Sequence, residues 1–146
     1  MQGFAIIKDD RDKGFSNLPI SSLALSIGDL IEVTAGSTAW AKTTSSTNFF
    51  TRKAIVMETT TTDDSDVLAI ELDGSEIVKA ESGSNSSTDD NGDRMALTDE
   101  NTVNNSGTDD SGQAVAFVQY GTIGAASDKV IYGKVLVGSG VDPDAS

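Results

Sequence analysis

The amino-acid sequence predicts an all-β fold, either a small barrel or a sandwich. Apolar residues occur in short runs, several with the period of two that is typical of a half-buried strand. Turn-forming Gly, Asp, Asn and Ser residues separate these runs, and no segment keeps the period of a long amphipathic helix. Roughly eight to ten short strands can be placed in this way, as in one barrel or sandwich. The length of 146 residues fits a single domain.

Residues 1–19 are predicted to form an extended N-terminal arm. Residues 4–7 are an apolar patch long enough for one short strand, and residues 8–14 form a charged stretch that indicates a turn. Pro19 suits the first position of the next strand, because its missing N–H is tolerated there. The apolar patch is too short for a signal peptide, and no segment approaches membrane-spanning length.

A β-barrel domain is predicted over residues 20–138. Apolar residues alternate through residues 20–33, and the interruption at Gly28-Asp29 indicates a turn or bulge between two strands. The next segment, residues 35–42, predicts a hairpin-like reversal that carries the only tryptophan, Trp40.

Further strands follow along the chain. Residues 49–60 predict one strand, and residues 67–81 predict a hairpin around Asp73-Gly74, a pair that accepts the positive φ of a type I′ turn. Residues 113–120 and 129–137 predict the last two strands. Their apolar residues of both parities indicate strands that are covered on two sides.

The longest polar segment, residues 82–112, is predicted to be an acidic loop inserted in the barrel. Ser, Thr, Asn, Asp and Gly dominate it, which is typical of a loop. Its middle, residues 94–103, has more apolar content and predicts a short strand or one helical turn. Because so long a structureless stretch is uncommon in a compact domain, we expect a neighbouring subunit to hold it. Residues 139–146 predict a flexible C-terminal tail.

Composition excludes several kinds of partner and chemistry. The chain has 23 acidic and 10 basic residues, a formal net charge of −13, and no basic stripe is visible in the sequence. Nucleic acids and anionic membranes are therefore not expected as partners. The chain has no Cys and no His, so it lacks a thiolate, an imidazole base and a Cys/His zinc site. We expect no cofactor.

The acidic residues suggest two kinds of site, a calcium-binding loop and a carboxylate pair for glycoside hydrolysis. Residues 86–98 resemble an EF-hand loop if Gly92 takes the place of the invariant glycine, but Ser87 and Thr98 stand where a charged first ligand and a terminal glutamate are needed. Paired carboxylates could also serve glycoside hydrolysis, although 23 acids make such pairs unavoidable. Neither pattern is specific. The sequence therefore predicts no metal site, no catalytic residue and no enzyme.

Apolar side chains are instead the candidates for contact with a partner. Aromatic residues dominate the energetic centres of protein interfaces, and core packing is the alternative for each of them. In the predicted arm, the candidates for partner contact are Phe4, Ile6, Phe15 and Leu18. Trp40 is a further candidate, assigned either to the core or to a subunit interface.

Three stretches resemble the capsid decoration, or cement, proteins of tailed bacteriophages. GFSNLPISSLALSIGDLIEVTAGSTAWAK (residues 14–42) resembles their opening, where a Gly-Asp pair precedes an apolar strand and a short reversal. NTVNNSGTDDSGQAVAFVQYGTIGAASDKVIYGKVLV (residues 101–137) resembles the closing segment of several phage structural proteins of this size. The arm before residue 19 is similar to a segment laid on the shell. Together these stretches cover roughly half of the chain.

The resemblance implies a small β-barrel or β-tulip-like subunit that forms homotrimers at the three-fold positions of an expanded head. Its partner would be the major capsid protein, its location the outer capsid surface of the virion, and its function the stabilisation of the mature shell. The open alternatives are a fibre or spike component, a tail-tube subunit, a carbohydrate-binding module and a small hydrolase that uses carboxylates.

Overall fold

The computed structural model describes residues 3–9, 14–108 and 114–139. It confirms the predicted all-β fold, because these residues form strands and two short 3-10 turns but no α-helix. The strands are β1 (Ala5–Lys8), β2 (Ser16–Pro19), β3 (Leu30–Val33), β4 (Ala41–Lys42), β5 (Arg52–Val56), β6 (Asp66–Glu71), β7 (Ile77–Ser82), β8 (Arg94–Asp99), β9 (Thr102–Thr108), β10 (Phe117–Ile123) and β11 (Val130–Val135). The 3-10 turns span Thr88–Asp90 and Ala126–Asp128. Within these residues, no helix is long and apolar enough to cross a membrane.

Five strands close into a barrel in the order β7-β11-β10-β8-β9, and β9 pairs back onto β7. Neighbours are antiparallel except β7 and β9, which pair in parallel with Glu81 opposite Thr102. β11 covers one edge of β7. The other edge is divided, because β1 pairs with its first half and β9 with its last two residues. β1 is thus an additional strand outside the closed ring.

The remaining five strands form a second, antiparallel sheet in the order β2-β6-β5-β3-β4. This sheet curls into a half-barrel whose edge strands meet at one end, where Ile20 and Trp40 form a β-bridge. The Trp40 N–H donates to the Pro19 carbonyl at 2.8 Å. The predicted reversal at residues 35–42 is confirmed, because it returns the chain from β3 to its neighbour β4.

Alternation along β5 divides its side chains between two hydrophobic cores. Ile55 points into the barrel core, whereas Ala54 and Val56 point into the half-barrel core. The barrel core consists of Phe4, Leu30, Ile55, Leu72, Val78, Ala80, Met95, Leu97, Val103, Ala116, Phe117, Ile131 and Val135. The half-barrel core consists of Leu18, Ile20, Leu25, Ile31, Val33, Trp40, Ala54, Val56, Val67 and Ala69. One face of the second sheet packs in the barrel core and its other face packs in the half-barrel core. The shared barrel core holds the two sheets together.

The segment predicted as an arm belongs to both sheets. β1 pairs with β7, and β2 pairs with β6 along its whole length. Phe4 is 2% exposed, and its ring centre lies 6.4 Å from that of Phe117. β1 and β2 are held by hydrogen bonds to strands more than forty positions away in the sequence. Because these partners are so distant, the local sequence of residues 1–19 looks like that of an unpaired arm. Residues 1–2 and 10–13 of the predicted arm lie outside the described residues.

The prediction of a loop over residues 82–112 is wrong for residues 94–108, and the short strand that was one option for residues 94–103 is confirmed. Residues 94–108 form β8, a short turn and β9, which complete the barrel. Met95, Leu97 and Val103 are buried in the barrel core. These three apolar residues are enough to cover the core side of β8 and β9, because the polar residues between them face outward or lie in turns. The Asn105 amide also bonds the Ser84 backbone. Residues 109–113 lie outside the described part of the chain.

The predicted hairpin at Asp73-Gly74 is also wrong. Gly74 has the positive φ of 91° that the pair favours. The flanking strands, however, lie in different sheets, so this turn carries the chain from the half-barrel to the barrel. The Glu76 carboxylate closes the turn by accepting both the Asp73 and the Gly74 N–H at 3.1 Å. A side chain thus supplies the hydrogen bonds that a hairpin ladder would have made.

The other strand predictions have mixed outcomes. Of residues 20–33 only Leu30–Val33 is a strand, and the interruption at Gly28-Asp29 is a turn as predicted. The strand within residues 49–60 is confirmed as β5, and the last two strands are confirmed as the antiparallel pair β10 and β11. Residues 140–146 of the predicted tail lie outside the described residues.

Candidate partner-binding cleft

The five residues predicted to contact a partner do not form one surface. Phe4, Leu18 and Trp40 are 2%, 7% and 4% exposed and belong to the cores. Ile6 is half-buried on β1 and packs against the barrel core. Phe15 is 58% exposed just before β2. Of the five, only Phe4 and Ile6 lie together at an open feature of the surface.

That feature is an apolar cleft of about 250 Å³ between β1 and the second sheet. Its walls are formed by Phe4, Ala5, Ile6, Ile27, Gly28, Ile55, Val56, Met57 and Ile70. Ile27 is 61% exposed, the highest value of any large apolar side chain among the described residues. The volume exceeds that of a single aliphatic side chain, so the cleft can accept an apolar group from another molecule.

Close backbone contacts fix the walls of the cleft. The Phe4 N–H donates to the Gly28 carbonyl at 2.8 Å, and the Gly28 N–H donates to the Val56 carbonyl at 2.9 Å. Gly3 has φ 91°, and a Cβ at this residue would lie 2.5 Å from the Gly28 oxygen. Only glycine combines this positive φ with so close an approach. The segment before β1 is therefore locked against the turn at Gly28.

β1 borders the cleft with an edge that no described strand covers. The strand pairs with β7 on one side only. A strand edge exposes backbone donors and acceptors that can pair with an extended segment of another chain. An uncovered edge beside an apolar cleft combines main-chain pairing with a pocket for a side chain.

Trp40 has the first of the two roles that the sequence allowed, namely core packing. Its ring lies in the half-barrel core, and the Arg52 guanidinium carbon stands 5.5 Å from the ring centre. Arg52 in turn forms two hydrogen bonds with the Glu71 carboxylate, at 2.8 and 2.9 Å. This stack covers the indole from outside and leaves it 4% exposed.

A buried lysine joins the two sheets beneath the surface, and sequence reasoning missed it. Lys53 on β5 is 0% exposed. Its Nζ donates to the carbonyls of Leu136 at 2.6 Å, Asn48 at 2.7 Å and Thr51 at 3.3 Å. Burial lowers the pKa of this ammonium to about 8, and the opposing charge of Glu32 on β3 reduces the effect. The sequence RKAIV contains no signal that distinguishes this lysine from a solvated one.

A second polar junction lies where the β8–β9 turn meets the second sheet. The Leu30 N–H donates to the Glu100 carbonyl at 2.7 Å, and Lys42 forms an ion pair with the Glu100 carboxylate at 3.5 Å. Asp29 is buried beside them and accepts the Ser26 N–H at 2.9 Å. Burial is the main cause that raises the pKa of Asp29, and the nearby Glu100 charge adds to it.

The segment that resembled an EF-hand loop has a different structure. Residues 88–90 form a 3-10 turn that the Ser87 hydroxyl caps, and β8 begins at Arg94. Burial and the charges of Asp93 and Asp89 raise the pKa of Asp90. Within the described ranges, no group of three or more Asp, Glu, His or Cys residues is placed to hold a metal ion.

No family model, curated protein or solved structure matches this chain. The cleft offers apolar burial beside a free strand edge, and both features suit recognition of a protein segment rather than a polar small molecule.

Proposed function

We propose that this chain is a structural, non-enzymatic protein of a tailed-phage virion that binds the outer surface of the mature capsid and stabilises it. The apolar cleft beside the uncovered edge of β1 is the observation that carries the proposal, since it suits the capture of an extended segment of the major capsid protein. Two further facts support it: the all-β fold and the three stretches that resemble decoration proteins.

Stabilisation would follow from preferential binding. A protein that binds only the mature lattice shifts the equilibrium towards that lattice by mass action. Full burial of one aliphatic side chain such as Ile27 contributes about 1.5–3 kcal/mol, which is too little for a durable single contact. Subunits linked into a homo-oligomer, in the proposal a trimer, bind several lattice sites at once and gain avidity without any new kind of contact.

The test uses capsids of the source phage from which this protein has been removed. Wild-type protein, Ile27→Asp and a control, Thr38→Asp, are mixed with these capsids, and the bound fraction is measured after sedimentation. Ile27 and Thr38 are both exposed, so neither substitution removes a core side chain. We expect the control to bind like the wild type and Ile27→Asp to bind at least about tenfold more weakly. Equal binding of all three proteins would contradict a role for the cleft, and absence of wild-type binding would contradict the proposed function.

A further inference from the structure

The turn that precedes β8 contains the only Asn-Gly pair in the chain, Asn91-Gly92. Asn91 has φ −61° and ψ 129°, Gly92 has φ 89°, and the Asp93 N–H donates to the Asp90 carbonyl at 3.0 Å. These angles are those of a type II β-turn, in which glycine supplies the positive φ of the third position. Asn91 and Gly92 are both exposed, so water reaches the turn. We call residues 90–93 the Asn91 turn.

An Asn-Gly pair can modify itself, because glycine leaves the backbone nitrogen after the asparagine sterically open. The Gly92 nitrogen gives its proton to a base from solvent and attacks Asn91 Cγ. The new C–N bond closes a succinimide ring, and the side-chain nitrogen takes a proton from water and leaves as ammonia. Water then opens the ring to aspartate or isoaspartate. The net reaction consumes water, releases ammonia and replaces an amide by an acid.

The closed turn keeps the two reacting groups apart. Ring closure requires the Gly92 nitrogen to lie beside the Asn91 side chain, and the ψ of 129° at Asn91 turns the two away from each other. The Gly92 N–H donates to the Gln119 carbonyl at 2.7 Å, so the attacking nitrogen is occupied. The Asn91 Oδ1 accepts a hydrogen bond from Gln119 Nε2 at 2.9 Å, so the carboxamide is also fixed. A single residue of β10 therefore binds both reacting groups.

Gln119 is a polar residue in an apolar core. It is 0% exposed and lies on the same face of β10 as Phe117, which belongs to the barrel core. Its Nε2 also donates to the Ser87 carbonyl at 2.8 Å, whereas its Oε1 has no hydrogen-bond partner among the described residues. A buried acceptor without a partner lowers stability, so an apolar residue would suit the core better. What this glutamine contributes is its pair of hydrogen bonds to the segment that contains the Asn91 turn.

We propose that Asn91 is a self-modifying deamidation site whose rate of reaction is controlled by Gln119. While the turn is closed, the nitrogen and the carboxamide are held apart and asparagine persists. When the turn opens locally, both groups are released and react as they do in an unfolded chain. The rate in the folded protein is then the unfolded rate multiplied by the fraction of time that the turn is open. This control operates whether or not the chain binds capsids.

The modification acts in one direction, because its products disfavour the closed turn. Isoaspartate adds a carbon atom to the backbone, so the hydrogen bond from Asp93 to Asp90 cannot form with the same geometry. Either product adds a carboxylate next to Asp90, where burial and the charges of Asp93 and Asp89 already raise the pKa. A further like charge at this place repels its neighbours. The extent of modification therefore records how long the turn has been open over the lifetime of the protein.

The only Asp-Gly pair in the chain, Asp73-Gly74, has a similar arrangement and offers an internal reference. It can close the same kind of ring with loss of water, which isomerises the aspartate after hydrolysis. The Gly74 N–H donates to the Glu76 carboxylate at 3.1 Å, and Glu76 is 2% exposed. In both pairs a buried residue thus binds the attacking N–H. Because Gln119 does not provide this second hydrogen bond, a change at Gln119 should leave the Asp73 reaction unaltered.

The experiment follows deamidation of the full chain by mass spectrometry of its proteolytic peptides during storage at neutral pH. The wild type is stored folded and, as the reference, unfolded in guanidinium chloride. Gln119→Leu removes both side-chain hydrogen bonds and keeps the backbone carbonyl. The matched control is Val67→Ala, which destabilises the fold from the half-barrel core, where Val67 is 0% exposed. Hydrogen exchange of the Gly92 amide, measured by NMR, reports how often the turn opens.

We expect Asn91 in the folded wild type to react at least about tenfold more slowly than in the unfolded chain. Q119L should raise the folded rate at least about fivefold, because two hydrogen bonds are lost. The exchange rate of the Gly92 amide should rise by the same factor. V67A should react like the wild type, and isomerisation at Asp73 should be unchanged in Q119L.

Three results would each overturn the proposal: a folded wild type that reacts as fast as the unfolded chain, a Q119L rate equal to that of the wild type, or an equal increase in V67A. An equal increase at Asp73 in Q119L would do the same, because it would mean that global unfolding sets the rate. Circular dichroism checks folding, and Q119M replaces Q119L if the latter does not fold. The wild type alone also decides the matter, since its slowing of deamidation must match the protection of the Gly92 amide.

Discussion

The buried ammonium of Lys53 makes the stability of the protein depend on pH in a direction that can be measured. The group is 0% exposed and is held by three carbonyl oxygens, of Asn48, Thr51 and Leu136. Among the described residues, the charged group that opposes its burial effect is Glu32, whose carboxylate also accepts the Thr47 hydroxyl at 2.6 Å. Desolvation dominates, and it lowers the pKa of Lys53 from 10.5 to about 8.

The sign of the effect follows from proton binding in the two states. Between pH 8 and pH 10.5 the unfolded chain holds the Lys53 proton and the folded chain does not. The free energy of unfolding therefore rises with pH through this window. At about 1.4 kcal/mol per pH unit, the contribution of Lys53 is about 3 kcal/mol larger above the window than below it. Between about pH 7 and 9.5 the expected rise is about 2 kcal/mol.

The perturbation that isolates this term is Lys53→Met, which leaves an unbranched side chain one heavy atom shorter and removes the titrating group. Urea unfolding can be followed by the fluorescence of Trp40, the only tryptophan, which is 4% exposed in the folded protein. The free energy of unfolding is measured for the wild type and the variant from about pH 7 to 9.5. Taking the difference between the two proteins cancels the titration of all other groups.

We expect the wild-type value minus the K53M value to increase by about 2 kcal/mol over this range. Thr38→Met, at an exposed residue that does not titrate, serves as the matched control and should give a difference that is independent of pH. A K53M difference that is flat, or that falls as pH rises, would refute the reasoning, because it would mean that the carbonyl bonds outweigh desolvation.

Two further predictions concern the folded core and the junction between the sheets. Leu97→Ala should destabilise the protein by about 2–5 kcal/mol in urea unfolding, because Leu97 is 1% exposed in the barrel core. A loss of stability below about 0.5 kcal/mol, as expected for a solvated loop residue, would contradict the placement of Leu97 in the core. Asp29→Asn should alter the acid profile, because the folded pKa of Asp29 is raised and its contribution to stability is lost as pH rises through that pKa. The wild-type free energy of unfolding minus that of D29N should therefore fall from pH 4 towards neutrality, and a rise would contradict the raised pKa.

Local patterns were sufficient where one strand pairs with the next along the chain. The antiparallel pair β10 and β11 and the β3–β4 reversal fall within residues whose apolar runs and turns identify them. Gly28-Asp29 was likewise identified as an interruption of the apolar pattern, and Gly28, at φ 97°, lies in the turn before β3. These features depend on contacts between residues close in sequence. The spacing of apolar residues along the chain is therefore enough to predict them.

Long-range pairing explains the predictions that failed. β8 and β9 have few apolar residues. Their side chains Met95, Leu97 and Val103 are buried in the core only because β8 pairs with β10 and β9 pairs with β7, which closes the barrel. Gly74 has the positive φ that a hairpin turn favours, yet nothing in the residues of this turn indicates that the next strand joins another sheet. Lys53 and the apolar cleft are equally invisible in the sequence, since each is built from segments far apart in the chain.

The most direct test of the central claim is the number of copies of this polypeptide in each purified virion of its source, measured by quantitative mass spectrometry against the major capsid protein. A capsid-stabilising protein that acts through many weak, multivalent contacts should be present on the order of hundreds of copies. A handful of copies, as expected for a fibre or spike, or none at all, would contradict the account.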